Sequence, residues 1–120
     1  MPAPRIVTVI GYFAIRPGNA ARFRDNCEAM VALRDKEAGH PASAYSFESD
    51  SAAVSREDYE SADAFAQHLD VGKHIFETTR QLVDITGVEV HGPADEIEKL
   101  RPLLSDMSPR FFRTEFGFRR

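Results

Sequence analysis

The segment from Arg5 to Ile15 (RIVTVIGYFAI) is apolar on both of its faces. β-Branched and aromatic residues dominate it, which favours an extended strand. The two-residue period puts Val7, Val9, Phe13 and Ile15 on one side and Ile6, Ile10 and Tyr12 on the other. Both faces therefore need cover, and a single layer of helices supplies only one.

A chain of 120 residues has the length of one domain and buries roughly two-thirds of its unfolded surface on folding. We read 1–120 as one domain, with a core at about 5–92 and a C-terminal extension at about 93–120. Cys27 is the only cysteine, which excludes an intrachain disulfide. The first residues (MPAPRIVTV) lack the layout of a secretory signal, so the expected compartment is the cytoplasm. No apolar run approaches the roughly 20 residues that cross a bilayer. A net charge of -4 argues against a nucleic-acid surface.

Along the chain, Pro17-Gly18-Asn19 breaks the first strand and opens a helix to about Lys36, with Phe23, Cys27, Met30, Val31 and Arg34 at helical spacing. Cys27 lies inside that stripe and reads as a small core residue, because a reactive thiol needs a partly exposed, electropositive setting. After Gly39-His40-Pro41, Ala42 to Glu48 and Ala53 to Glu60 form a hairpin about Ser49-Asp50-Ser51. Ser61 is a suitable N-cap for a helix over Ala62 to Asp70, and a second short helix follows Gly72 over Lys73 to Val83. Asp84 to His91 is the fourth strand. Pro93 then starts a helix that Pro102 stops near Arg101. Phe112, Thr114, Phe116 and Phe118 alternate with polar residues and Gly117, which predicts a last strand docked on its own sheet or on a neighbouring chain. The expected fold is α+β: a ferredoxin-like βαββαβ antiparallel sheet with helices on one face, plus an extra helix and strand. The uncovered sheet face predicts a homodimer.

The run Arg56-Glu57-Asp58-Tyr59-Glu60-Ser61, then Ala62-Asp63-Ala64-Phe65, Gln67-His68-Leu69 and His74, resembles the antibiotic biosynthesis monooxygenase (ABM) domain family. Members commonly show a strand ending in Glu-x-Tyr or Glu-x-Trp, a helix ending in His-Leu, and a further His before an aromatic. The resemblance spans roughly Ile6 to Val90 and implies a dimeric α/β-barrel with a small apolar pocket between sheet and helices. Some relatives are cofactor-free oxygenases of anthrones, quinols or related phenols, and others degrade haem. The haem-degrading branch relies on a strand Asn, a helix Trp and an iron-binding His. This chain has no Trp, carries Gly11 at the Asn position, and offers Thr78, Thr79 and Arg80 near the axial position.

The resemblance therefore implies a cofactor-independent monooxygenase acting with molecular oxygen on a quinol, anthrone or similar small electron-rich aromatic. Such chemistry needs a base near neutrality and donors that hold an anion in a dry pocket. His68, beside Leu69 at the flank of the apolar stripe, is the candidate base. Tyr45 and Arg56 are candidate anion stabilisers, and Tyr12, Tyr59 and Phe65 are candidate substrate contacts. Arg56 and Glu57 face opposite sides of the sheet, and a dimer salt bridge is the alternative role for Arg56. His74 reads as a surface or interface residue, and His40 and His91 as loop residues at element ends. No third metal ligand has recognisable spacing from His68 and His74, so no metal site and no cofactor are expected. The alternatives are a non-catalytic small-ligand-binding or interaction dimer, and an isomerase working by proton transfer.

Overall fold

The computed structural model describes residues 3–120. Five strands, β1 (Val7–Ile15), β2 (Ala42–Ser49), β3 (Ala52–Tyr59), β4 (Val83–Gly92) and β5 (Arg110–Arg113), form one sheet in the order β2-β3-β1-β4-β5. The helices are α1 (Ala20–Val31), α2 (Ala62–Val71), α3 (Lys73–Leu82) and α4 (Ala94–Leu100). The first four strands pair antiparallel in the ferredoxin-like βαββαβ arrangement. β5 is the exception, pairing parallel with β4 after the α4 crossover, as a parallel neighbour requires.

Alternation along β1 decides the layers. Val7, Val9, Phe13 and Ile15 are buried under the helices, whereas Ile10 is only half-buried and Tyr12 is exposed on the open face. Two apolar clusters fill the helix-covered side. Val7, Val9, Tyr59, Phe65, Val88, Val90, Leu100 and Leu104 form one, and Phe13, Ile15, Phe23, Cys27, Leu82 and Val83 form the other. Gly11 stands on β1 between them. A Cβ there would meet Ser55 Oγ at 2.9 Å and Phe13 Cζ at 3.0 Å. Only a residue without a side chain fits so close to Ser55 and Phe13 at the point where the core divides.

Local chemistry explains the element ends. Ser61 Oγ accepts from the Ala64 amide at 3.1 Å, capping α2 as its sequence position predicts. α1 ends at Val31, and the chain tightens into a 3-10 turn over Ala32–Lys36 before Glu37. Gly39 then passes so close to α2 that a Cβ would lie 2.7 Å from that of Ala64, and its carbonyl accepts from the Glu60 amide at 2.9 Å. That close approach carries Glu37 and His40 in against β3 and α2.

The C-terminus corrects one expectation. The alternating run to Phe118 is a strand only over Arg110–Arg113, docked on its own sheet. Thr114 donates to the Gly92 carbonyl at 2.8 Å, and there β4 ends. Beyond that point no neighbouring strand among the described residues offers pairing groups, and Phe116 and Phe118 are 92% and 71% exposed. No helix among the described residues is long and apolar enough to cross a membrane.

Candidate active site

Gly11 borders a cavity of about 70 Å3 between sheet and helices. Its apolar wall includes Val9, Phe13, Phe65, Leu69, Phe76 and Val88, with Met30 and Met107 as its most flexible members. Its polar wall is Tyr45, Ser55, Glu57, His68 and Thr79. Among the described residues, no lysine or arginine lines it.

β3 supplies the key carboxylate. Ser55, Glu57 and Tyr59 alternate inward and are buried, whereas Arg56 is exposed on the opposite face. Tyr59 donates its hydroxyl to Glu57 Oε2 at 2.9 Å. Burial, then the Glu57 charge and hydrogen bond, push the Tyr59 phenol far above its ordinary range, so it remains a donor. Burial also raises the Tyr45 phenol strongly.

Behind Glu57 stand two histidines and a second carboxylate. His68, buried on α2, bonds through Nδ1 to Glu37 Oε1, and its Nε2 lies 3.5 Å from Glu57 Oε2. His40 stacks on Tyr59 with ring centroids 4.3 Å apart, its Nε2 being 3.3 Å from Glu57 Oε2 and its Nδ1 3.4 Å from Glu37 Oε2. Each imidazole is thus flanked by the same two carboxylates. Glu37 Oε2 and His40 Nε2 are buried without an aligned hydrogen-bond partner. Glu37 is only 2% exposed, and burying a carboxylate costs free energy unless its oxygens are paired.

The expected site residues divide into two groups. His68, Tyr45 and Phe65 line the cavity, and Tyr59 lies directly behind Glu57. Arg56 and Tyr12 do not reach it: both lie on the open sheet face, where Tyr12 donates to Glu89 at 3.1 Å. Strand parity is the reason, since an inward Tyr59 places Glu57 on its face and turns Arg56 away. His74 is at the surface, as expected, whereas His91, expected as a loop residue, lies within β4 and stacks on Phe112 of the edge strand β5. His40, expected as a loop residue, lies in a loop but has a buried side chain.

The family model described as antibiotic biosynthesis monooxygenase matches residues 6–74, more than half of the chain. The chain belongs to the antibiotic biosynthesis monooxygenase family. That match contains β1, the hairpin and α2, and so includes Glu37, His40, Glu57 and His68. Among solved structures, MupZ from Pseudomonas fluorescens is 31% identical with a TM-score of 0.89, over 97% of this chain and 95% of that one. SnoaB, a cofactor-independent oxygenase from Streptomyces nogalater, is 19% identical with a TM-score of 0.62, over 70% of this chain and 90% of that one. Rv0793 from Mycobacterium tuberculosis is 25% identical with a TM-score of 0.63, over 76% and 97%. Among curated proteins none matches. The antibiotic biosynthesis monooxygenase fold thus accounts for the βαββαβ core, and the MupZ likeness extends over the C-terminal helix and strand as well.

Glu37 and His40 escaped sequence reasoning because neither lies on a regular element. Glu57 was recoverable, as parity ties it to Tyr59.

Proposed function

We propose that this protein is a monooxygenase acting on a small, electron-rich aromatic such as a quinol, with Glu57 receiving the proton that leaves the substrate and His68 supporting it. The observation that carries this reading is the meeting of Glu57, His68 and Tyr45 on the wall of one apolar cavity. Membership of the family supports it, as does the fold shared with a cofactor-independent oxygenase. His68 has a carboxylate at each ring nitrogen, so Glu57 is the acceptor nearer the substrate and His68 the group that sustains it. Tyr45 and Ser55 supply the neutral donors that hold an enolate or phenolate, since the Thr79 hydroxyl already donates to the Ile75 carbonyl. The deprotonated substrate then delivers electrons to dioxygen. For a quinol, one dioxygen leaves one oxygen atom on a ring carbon and the other in water, which takes two hydrogens as the ring becomes a hydroxyquinone. All four electrons come from the substrate.

The cavity's size narrows the substrate. At about 70 Å3 it holds roughly five water-sized groups, which suits one ring. A tricyclic substrate requires Met30 and Met107 to swing aside.

A second reading rests on a specific observation: the polar wall contains two acid–base groups and no cationic side chain among the described residues. Proton transfer alone, as in an isomerase, uses the same wall and consumes no oxygen. We also propose a homodimer through the open sheet face, where Ile10, Val54 and Phe112 are half-buried and Tyr12 is exposed.

Oxygen uptake by the purified protein with a panel of quinols and anthrones, beside Glu57→Gln, His68→Ala and a no-protein control, tests the principal reading. Uptake above autoxidation that both variants lose supports it. Substrate conversion at an unchanged rate without oxygen favours the proton-transfer reading.

A further inference from the structure

Glu37, His40 and His68 present ligand atoms that all lie within 4.8 Å of one another, from side chains that are nine-tenths or more buried. We propose that these three residues bind one divalent first-row transition-metal ion, on the Nδ1 side of both imidazoles and behind the cavity wall. Only His68 of the three lines the cavity, so the ion positions the acid–base wall and does not meet the substrate.

The argument starts from charge and hydrogen-bond accounting. Glu37 and Glu57 bring two negative charges into a buried ring that alternates carboxylate, imidazole, carboxylate, imidazole. Two arrangements neutralise it: both imidazoles doubly protonated, or one divalent cation with both imidazoles neutral. The first leaves Glu37 Oε2 and His40 Nε2 without aligned partners, as the geometry shows. The second answers Glu37 Oε2. Coordination at Nδ1 gives Glu37 Oε2 a cation and fixes each ring proton on Nε2. His40 Nε2 then has a donor's role toward Glu57 Oε2, 3.3 Å away.

One pair already has the spacing of coordination, while the direct hydrogen bond between His68 Nδ1 and Glu37 Oε1 is the contact the ion would replace. Ligands at about 2.1 Å from a tetrahedral ion stand roughly 3.4 Å apart, and His40 Nδ1 is 3.4 Å from Glu37 Oε2. Two imidazoles and a carboxylate are a donor set for zinc, iron(II) or cobalt(II). Glu57 completes the usual outer arrangement, in which a metal-bound imidazole donates its other N–H to a carboxylate. The acidic group at the cavity wall would thereby be oriented by an ion it never touches.

The test needs no substrate, so its failure is independent of the oxygenase reading. The full-length protein, stripped with chelator, is titrated with Zn2+ and separately with Co2+. The expected result is one equivalent per chain, a cobalt visible spectrum of low coordination number, and a raised thermal midpoint. Zn2+ affinity is expected to fall at least tenfold in His40→Asn and in Glu37→Gln, and to stay unchanged in His74→Asn. Nitrogen-15 spectra of the parent keep the test decisive if a variant fails to fold. Movement of two histidine Nδ1 signals to the metal-bound range on adding Zn2+ supports the site. Two doubly protonated rings that ignore Zn2+, or equal affinity in parent and His40→Asn, overturns it.

Discussion

Tyr59 and Glu57 stand two positions apart on one strand, and the Tyr59 hydroxyl donates to Glu57 Oε2 at 2.9 Å. Residues i and i+2 share a face of the sheet, so one strand presents the cavity's carboxylate together with the phenol that holds it. Tyr59→Phe keeps the ring that stacks on His40 and removes only the donor. We expect a loss of about 1–3 kcal/mol, the cost of an undonated buried acceptor, measured by urea unfolding. An unchanged midpoint would show that Glu57 is held by the histidines alone.

Neighbouring positions on β3 should separate cleanly by face. Glu57→Gln is expected to lower the turnover rate by a factor of about 10²–10⁴, the usual range for a lost acid–base group. Arg56→Ala, on the open face, should leave the chemical step alone. It should weaken the proposed dimer and make its association less sensitive to ionic strength. Steady-state kinetics with analytical ultracentrifugation distinguishes the two effects, and an Arg56→Ala variant with lost turnover but intact assembly contradicts the assignment of faces.

Gly11→Val is expected to close the cavity. Its Cβ alone would come within 3.0 Å of Ser55 and Phe13, and overpacking of this kind costs about 1–3 kcal/mol. Substrate conversion and binding of a small apolar fluorophore should both disappear while the circular dichroism spectrum persists. Retained binding would place the ligand elsewhere.

Burial pushes the Cys27 thiol up from 9.0 to about 12, with Arg24 opposing and Glu57 reinforcing the shift. The native thiol should therefore react with a disulfide reagent at pH 8 far more slowly than the unfolded chain. The sign for stability follows. A raised folded-state value contributes stability that is full below pH 9 and is lost as pH rises toward 12. Cys27→Ala should flatten that alkaline decline in urea unfolding between about pH 9 and pH 11, and an equally steep decline in the variant would refute the assignment.

Ser61→Ala removes the side-chain cap of α2. A loss of about 1 kcal/mol is expected, visible as a lower thermal midpoint. Because α2 carries His68 and Phe65, hydrogen exchange should accelerate most in its first turn.

Regular elements were the legible part of the molecule. The alternation of β1, the turn at Ser49-Asp50-Ser51 and the Ser61 cap are local signals, and the hairpin and α2 follow them. The last strand was the exception. Alternation over Phe112 to Phe118 is a local pattern, yet a strand also needs a partner, and β4 runs out at Gly92.

The site divides along the same line. The run from Arg56 to His74 carried the resemblance to the family, and periodicity defined the two faces of β1 without saying which one the helices cover. Of the expected site residues, His68, Tyr45 and Phe65 line the cavity. Only the tertiary structure brought Glu37 and His40 to His68, the first of them across 31 positions of chain. No periodic signal marks residues in a loop, and their side chains turn inward because Gly39 packs against Ala64 of α2. Which carboxylate faces the cavity was likewise settled by pairing: once β3 took its register beside β1, Glu57 had to point in and Arg56 out.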